Sequence, residues 1–397
     1  MKPELLSPVQ DFVSLQAAIQ AGADSVYFGI KELNMRMGAK NFSLKDIKRV
    51  ANMCHKNEVK AYLALNSIIY DNEAEKIKKI LLKAKKAKID AIIAWDFSVI
   101  NEANKLNIPV HISTQASVAN FEAIKTIKKQ FKNFERVILA RELDLEQIKT
   151  IIKKIKKEKI NVEIEVFVHG AMCVSVSGRC FLSQEIFGKS ANRGECLQPC
   201  RRQYRIKDVE ENHEMDLGED YVISPKDLCA LPFLDKLVKA GISAFKIEGR
   251  NRSPEYVKVV TEAYREAIDN PKSDKKILME RLKEVYNRGF SSGFYLGKPI
   301  NEWAHAYGSK ATKTKHALGF VKNYYRNVGV AEIKLETKDL KLGDIIMFQG
   351  PTTGVFEQKV DSMQVNHNKV DFVKKGRSAG VKTLHKVREN DKVYIIK

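Results

Sequence analysis

Two short stretches hold the residues best equipped for chemistry. "VHGAMCVSVSGRCFLS" (168–183) carries Cys173 and Cys180, and "NRGECLQPCRRQYR" (192–205) carries Cys196 and Cys200. Six residues separate the first two thiols, fifteen the middle two and three the last two. Such a set could form disulfides, hold zinc, hold an iron–sulfur cluster, or pack as small apolar side chains. Disulfides fit poorly with a reducing cytoplasm. That compartment is expected because the N-terminus lacks an apolar signal core and no run of 18 apolar residues could span a membrane. Structural zinc usually shows two C-x2–4-C knuckles, and Cys173–Cys180 is too wide for one. A 4Fe–4S cluster needs four converging thiolates with backbone N–H groups around the sulfurs. Gly170, Gly178 and Gly194 would let the backbone come close, and Arg179, Arg193, Arg201 and Arg202 could offset the cluster's negative charge. Cluster and zinc both stay open at this point. Cys54, in a helical segment, and Cys229, at a helix start in "SPKDLCALPFL", read as packing residues, with Cys229 a conceivable substitute ligand.

The elements that must position these thiols follow from hydrophobic periodicity. Short apolar runs alternate with amphipathic stretches. The runs are "ELLSPV", "DSVYFG", "VKAYLALNSII", "DAIIAWD", "PVHISTQAS", "RVILARE", "VEIEVFVHG" and "SAFKIEGR". Eight β/α units within residues 1–270 predict a (β/α)8 barrel with a cysteine-rich segment at 168–205. An open doubly wound sheet is the runner-up, but no G-x-G-x-x-G follows the first strand. Residues 271–315 read as a helical and irregular connector. Residues 316–397 switch to short alternating strands and predict a small β-barrel. There, "DLKLGDIIMFQGPTTG" and "GRSAGVKTL" resemble the second domain of translation-factor barrels.

Chemistry in such a barrel sits at the C-terminal strand ends, where Asn66, Asp96, Gln115, Arg141, Glu165, His169, Lys246, Glu248 and Arg250 fall. Any one of them could be a satisfied polar group or a helix cap; as a set they could converge. Arg141 and Arg250, joined by Arg36, suit a carboxylate or phosphate. Asn66 and Lys246 complete the expected substrate-binding set. His169 and Glu165 are candidates for acid–base work, Gln115 for reading a base edge, and Glu248 for ordering the neighbouring cations.

The formal net charge is +20. Runs such as "KIKKILLKAKKAK" (76–88) and "IIKKIKKEK" (151–159) are ordinary solvated helix faces on one reading and attraction to a polyanion such as RNA on the other. No H-E-x-x-H or G-x-S-x-G occurs, which leaves a peptidase only the His169–Cys173 pair. A non-catalytic RNA-binding factor with a structural metal centre is a third reading.

The stretch "EVFVHGAMCVSVSGRCFLS" resembles the signature of peptidase family U32, matching at Glu165, Phe167, Gly170, Ala171, Cys173, Gly178, Cys180 and Ser183. The resemblance extends to "GADSVYFG", "NMRMGAKNFS", "STQAS", "NRGECLQPCR" and "KIEGRNRSPEYV". It implies either the family's protease label or membership among its iron–sulfur hydroxylases. Cys196 and Cys200 in "GECLQPCR" resemble the branch that makes 5-hydroxyuridine in tRNA. For that branch the resemblance implies a 4Fe–4S cluster on Cys173, Cys180, Cys196 and Cys200, tRNA as substrate and prephenate as hydroxyl source.

Overall fold

The structure is a computed structural model that describes residues 2–207, 210, 214–216, 223–299, 302–304 and 308–397. Eight parallel strands form the centre: β1 (Glu4–Pro8), β2 (Ser25–Phe28), β3 (Lys60–Ala64), β4 (Ala91–Ala94), β5 (Val110–Ile112), β6 (Phe134–Ile138), β7 (Glu163–Ala171) and β8 (Ala244–Ile247). Each pairs with the next, and β8 pairs with both β7 and β1, so the sheet closes on itself. Closure decides against the open-sheet alternative. The strands read as nearly continuous apolar runs because both faces are covered, one by helices and one by the lumen. Period-two alternation then sorts the side chains. In β1, Leu5 packs under the helices while Leu6 faces the lumen. In β3, Ala61 and Leu63 face outward while Tyr62 and Ala64 face inward.

The lysine runs lie on the outer helices. Helix Ala74–Lys86 buries Ile77, Ile80, Leu81 and Ala84 and turns most of its lysines to solvent. Helix Leu145–Lys157 buries an isoleucine stripe and begins with a capping box between Asp144 and Gln147. These runs are amphipathic faces in the ordinary sense.

Between β7 and β8 the chain makes a long excursion containing helix Leu182–Phe187. A short strand, Asp227–Cys229, runs antiparallel to the end of β7 and parallel to Phe290–Ser291. Cys229 therefore sits in a strand rather than at a helix start. It is buried against Tyr264 and Met279, and burial pushes its thiol up to about 11. Cys54 is likewise buried, inside helix Ile47–His55. Helix Pro254–Asp269 packs on β1 and on helix Phe12–Gln20, and helix Lys275–Glu284 follows it.

From Lys315 onward the chain is antiparallel β-structure around its own core, built by Leu318, Ile333, Phe348, Val381 and Val393 among others. This module docks on the barrel's outer helices. Met347, Val355 and Ile396 pack on Ala17 of helix Phe12–Gln20. Glu255 receives Gln349 Nε2 at 2.7 Å and Lys315 Nζ at 2.7 Å.

Candidate active site

A cavity of about 360 Å³ opens where the barrel strands end, as the fold leads one to expect. Its walls come from the loops after β2, β3, β5, β6 and β8 and from the excursion after β7. Two glycines let the excursion settle. Gly170 has φ +104, and a Cβ there would lie 2.5 Å from the Glu248 carbonyl. Gly194 has φ +88, and its Cβ would lie 2.1 Å from the Asn34 carbonyl. Only glycine permits either approach.

All four clustered cysteines line this one cavity. Cys173 and Cys196 are exposed, Cys180 and Cys200 half-buried, and none is in a disulfide. Burial raises the Cys200 thiol, Arg201 opposes the rise, and the charges of Cys173, Cys196 and Cys180 add to it. The thiols thus feel one another across the cavity. Among the described residues no three Cys, His, Asp or Glu side chains gather closely enough to hold a single ion. A tetrahedral zinc with ~2.3 Å bonds would draw its sulfurs to within about 4 Å of one another. The four thiols line one cavity, which Gly170 and Gly194 allow the excursion's backbone to close.

Six arginines line the same space, Arg36, Arg141, Arg201, Arg250, Arg252 and Arg288, together with Lys246, against two carboxylates, Glu142 and Glu248. The positive excess marks an anion site. Glu248 accepts from Arg36 at 3.3 Å. Burial raises the Glu248 carboxyl, but Arg36, Arg252 and Arg141 outweigh burial and hold it below the ordinary value. Glu248 therefore stays ionised and orders cations rather than carrying protons. Arg141 stacks on Phe167 at 3.8 Å and donates to the Ala171 carbonyl at 2.8 Å. Arg250 lies in the space left by Gly29, where a Cβ would be 2.3 Å from its NH1. That NH1 is buried and has no hydrogen-bond partner, and burial lowers the group to about 10.

On the facing wall Gln115 follows β5. Its Oε1 accepts from Ser113 Oγ and from Asn66 Nδ2, the latter at 3.1 Å, and Asn66 Oδ1 in turn accepts from Met35 N at 3.2 Å. With its oxygen so engaged, Gln115 has its amide NH2 left to donate, and that group points toward Gly178, 3.8 Å from where a Cβ would be. Asp96 is a helix cap, accepting from Ser98 N at 2.9 Å at the start of helix Phe97–Lys105.

Besides Asp96, two expected residues are not on the cavity wall. Glu165 lies below it, fully buried, bonded to Lys246 Nζ at 2.8 Å and Arg136 NH1 at 3.3 Å. Its role is to hold Lys246, whose ammonium reaches the cavity floor 4.3 Å above the Tyr27 ring. His169 is turned to the outside of the barrel. A register shift pairs Lys246 with Phe167 but Ile247 with His169, and this bulge moves the imidazole to the outer side with Ile247. There it packs on Tyr256, Tyr264 and Phe290. Burial, with Arg252 adding, lowers His169 to about 3, so it is neutral and cannot relay protons near pH 7. Cys173 meets Ser175 Oγ at 3.0 Å instead of an imidazole.

Of the four arginines expected to balance a cluster, only Arg201 lines the cavity, bonding Ser224, the Pro225 carbonyl and the Met172 carbonyl. Arg193 is committed to Glu73 at 2.6 Å and covers Tyr70. Arg179 lies over Trp95 and Arg202 over Phe187. Sequence reasoning missed Arg252, Arg288 and Glu142. Arg252 stood inside the quoted "KIEGRNRSPEYV", where the strand-end rule applied to Arg250 could have extended to it. Arg288, from the irregular segment after residue 270, pairs with buried Asp227 at 3.3 Å and carried no local signal.

The model of peptidase family U32 matches residues 10–305, which includes every residue lining this cavity. A collagenase of Porphyromonas gingivalis (strain W83) is 43% identical over 98% of this chain and 97% of its own. The tRNA hydroxylation protein P1 of Bacillus subtilis (strain 168) is 32% identical over 91% of this chain and 87% of its own. The 23S rRNA 5-hydroxycytidine C2501 synthase of Escherichia coli (strain K12) is 37% identical over 67% of this chain and 39% of its own. Relatives of both names thus match this chain over two thirds or more of its length, and the chain belongs to peptidase family U32.

Proposed function

We propose that this chain is an iron–sulfur enzyme that hydroxylates a pyrimidine base in RNA, with a tRNA uridine as its target. The observation that carries the reading is the sharing of one cavity by four cysteines and a surplus of guanidinium groups. Cys173, Cys180, Cys196 and Cys200 would hold a 4Fe–4S cluster, which supplies one-electron chemistry beside the bound reactants. Arg36, Arg141, Arg250 and Lys246 suit a small dicarboxylate, in keeping with the prephenate implied by the family resemblance. Gln115, its carbonyl oxygen already occupied, offers NH donors to a base oxygen. A base inside a stacked helix could not enter a recess of this size, so the target must be presented unstacked, as in a tRNA loop. The Bacillus subtilis relative named for tRNA hydroxylation matches 91% of the chain, against 67% for the rRNA-modifying relative, which favours tRNA over rRNA.

The experiment is anaerobic purification with iron and sulfide quantification and an optical spectrum, followed by nucleoside analysis of tRNA from a deletion strain. Four iron and four sulfide per chain are expected for such a cluster, together with loss of one hydroxylated pyrimidine. Zinc in place of iron, or an unchanged nucleoside profile, defeats the proposal.

A peptidase reading has one observation in its favour, the collagenase name of a relative 43% identical. Against it, the Cys173 thiol has no imidazole beside it, because His169 lies outside the barrel. Release of peptides from gelatin by the holoprotein, abolished in Cys173→Ser that keeps its iron, would restore it.

A further inference from the structure

Far from the cavity in sequence, two loops of the C-terminal module come together. The turn 325–329 follows strand Lys315–Tyr325, and the segment 383–391 precedes strand Lys392–Ile396. Thr383 N donates to the Gly329 carbonyl at 2.9 Å, and Asn390 N donates to the Val321 carbonyl at 2.8 Å. These bonds fix the loops side by side. They bring together Arg326, Lys386 and Arg388, whose mutual repulsion, chiefly from Arg326 and then Arg388, lowers the Lys386 ammonium.

Like many exposed lysines of this molecule the three cations have no carboxylate partner, but unlike lysines spread along a helix face they sit together on two adjoining loops. No ion pair among the described residues involves any of them, and Arg388 NH1 is buried with no hydrogen-bond partner. The nearby acids are already engaged or offer little. Glu332 is taken by Lys322 at 2.9 Å, and Asp391 by Thr353 Oγ1 and Arg388 N. Glu389 is exposed to solvent. Beside the charges stand apolar surfaces that a soluble module gains nothing by exposing, namely Tyr325 at 49%, Val328 at 62% and Leu384 at 72%.

We infer that this basic and apolar patch is an RNA-docking surface, where Arg326, Lys386 and Arg388 contact backbone phosphates and the Tyr325 ring takes an unpaired base or sugar. The inference rests on the reading of the chain as a tRNA-modifying enzyme and names the surface that holds the tRNA away from the reacting base. Charge complementarity selects the occupant. Three cations without ion-pair partners, held on adjoining loops of a chain of net charge +20, are complementary to a polyanion. An acidic protein segment is the competing occupant, and the test separates the two.

The full-length holoprotein is titrated with an unmodified tRNA transcript at several salt concentrations, as wild type, as Arg326→Glu/Lys386→Glu, and as Lys78→Glu/Lys79→Glu. The last pair makes the same charge change on the exposed face of helix Ala74–Lys86. Both patch positions are exposed, so the fold tolerates the change. Each phosphate contact adds roughly 0.7–0.9 to the slope of log affinity against log salt. The patch variant is expected to lower that slope by about 1.5 and to weaken binding at least tenfold. The helix variant should move neither by more than a fraction of that. Equal effects in the two variants, or none in either, overturn the inference. Unchanged tRNA affinity with loss of modification in cells assigns the patch to a protein partner and also overturns it. Product formation, measured separately at saturating tRNA, shows whether the hydroxylase reading stands when the docking surface does not.

Discussion

The barrel lumen holds charge at both ends and treats it in opposite ways. At the floor, Arg136 is closed in by Glu4 at 2.8 Å, Glu163 at 2.6 Å and Glu165 at 3.3 Å, and Lys246 takes the second oxygen of Glu165. Burial raises the Glu4 carboxyl, yet Arg136 outweighs burial and holds it far below its ordinary range. At the mouth, six arginines and a lysine face two glutamates, and one buried guanidinium nitrogen has no partner. Desolvated charge is tolerable when paired and costly when not. The floor is therefore a finished structural network, whereas the mouth keeps a surplus of cations facing an open cavity.

The largest effect should follow from breaking the floor. Arg136→Met leaves Glu4 and Glu165 facing one another in the buried lumen, with half-exposed Glu163 at its edge, and loss of one partner of a buried ion pair costs about 3–5 kcal/mol. Denaturant midpoints should fall accordingly, or the variant should fail to accumulate in soluble form. Arg250→Met at the mouth should do the reverse. Because the Arg250 NH1 has no partner to lose, stability should stay within about 1 kcal/mol of wild type. Under the proposed hydroxylase reading, product formation should fall about ten- to hundredfold, the worth of a hydrogen bond between charged groups. If Arg250→Met unfolds the protein as Arg136→Met does, the two ends are alike and the contrast fails. Gly29→Ala should give a weaker copy of the Arg250 defect, since the new Cβ meets that guanidinium; an unchanged rate would mean that Arg250 need not stay where it is.

How much of this was legible in the sequence differs between the two ends in the same way. The eight strands are readable because parallel strands buried on both faces must be apolar throughout, and "VEIEVFVHG" or "AIIA" have no other plausible place. The thiols and the strand-end arginines are readable because their types announce their chemistry. Arg136 is not. In "FERVILARE" it looks like a solvent-facing charge at a strand start, and only barrel closure brings it to Glu4, 132 residues away in the chain. Glu165 was misassigned for the same reason, since the signature that contains it says nothing of depth in the lumen. His169 shares parity with Phe167 and would face inward on an ideal strand. The bulge that turns it out arises from pairing with β8, which strand-local reasoning cannot see.

His169 also supplies the smallest and sharpest test of the contrast. Its folded value of about 3 lies below the ordinary value for histidine of about 6.5, so the unfolded chain takes up the proton first. Stability from the buried neutral imidazole is then fully present above about pH 6.5 and is lost progressively as pH falls toward the folded value. Between pH 7.5 and 5.5 the loss from this one group is about 1 kcal/mol. His169→Gln should be less stable than wild type at pH 7.5 but should lose about that much less on acidification, as read from anaerobic denaturation at the two pH values. Arg250→Met should track wild type across the same interval, because its guanidinium stays protonated in both states. Parallel slopes for His169→Gln and wild type would mean that the imidazole is reachable by protons in the native state and that its burial against Tyr256 and Tyr264 does not hold it neutral.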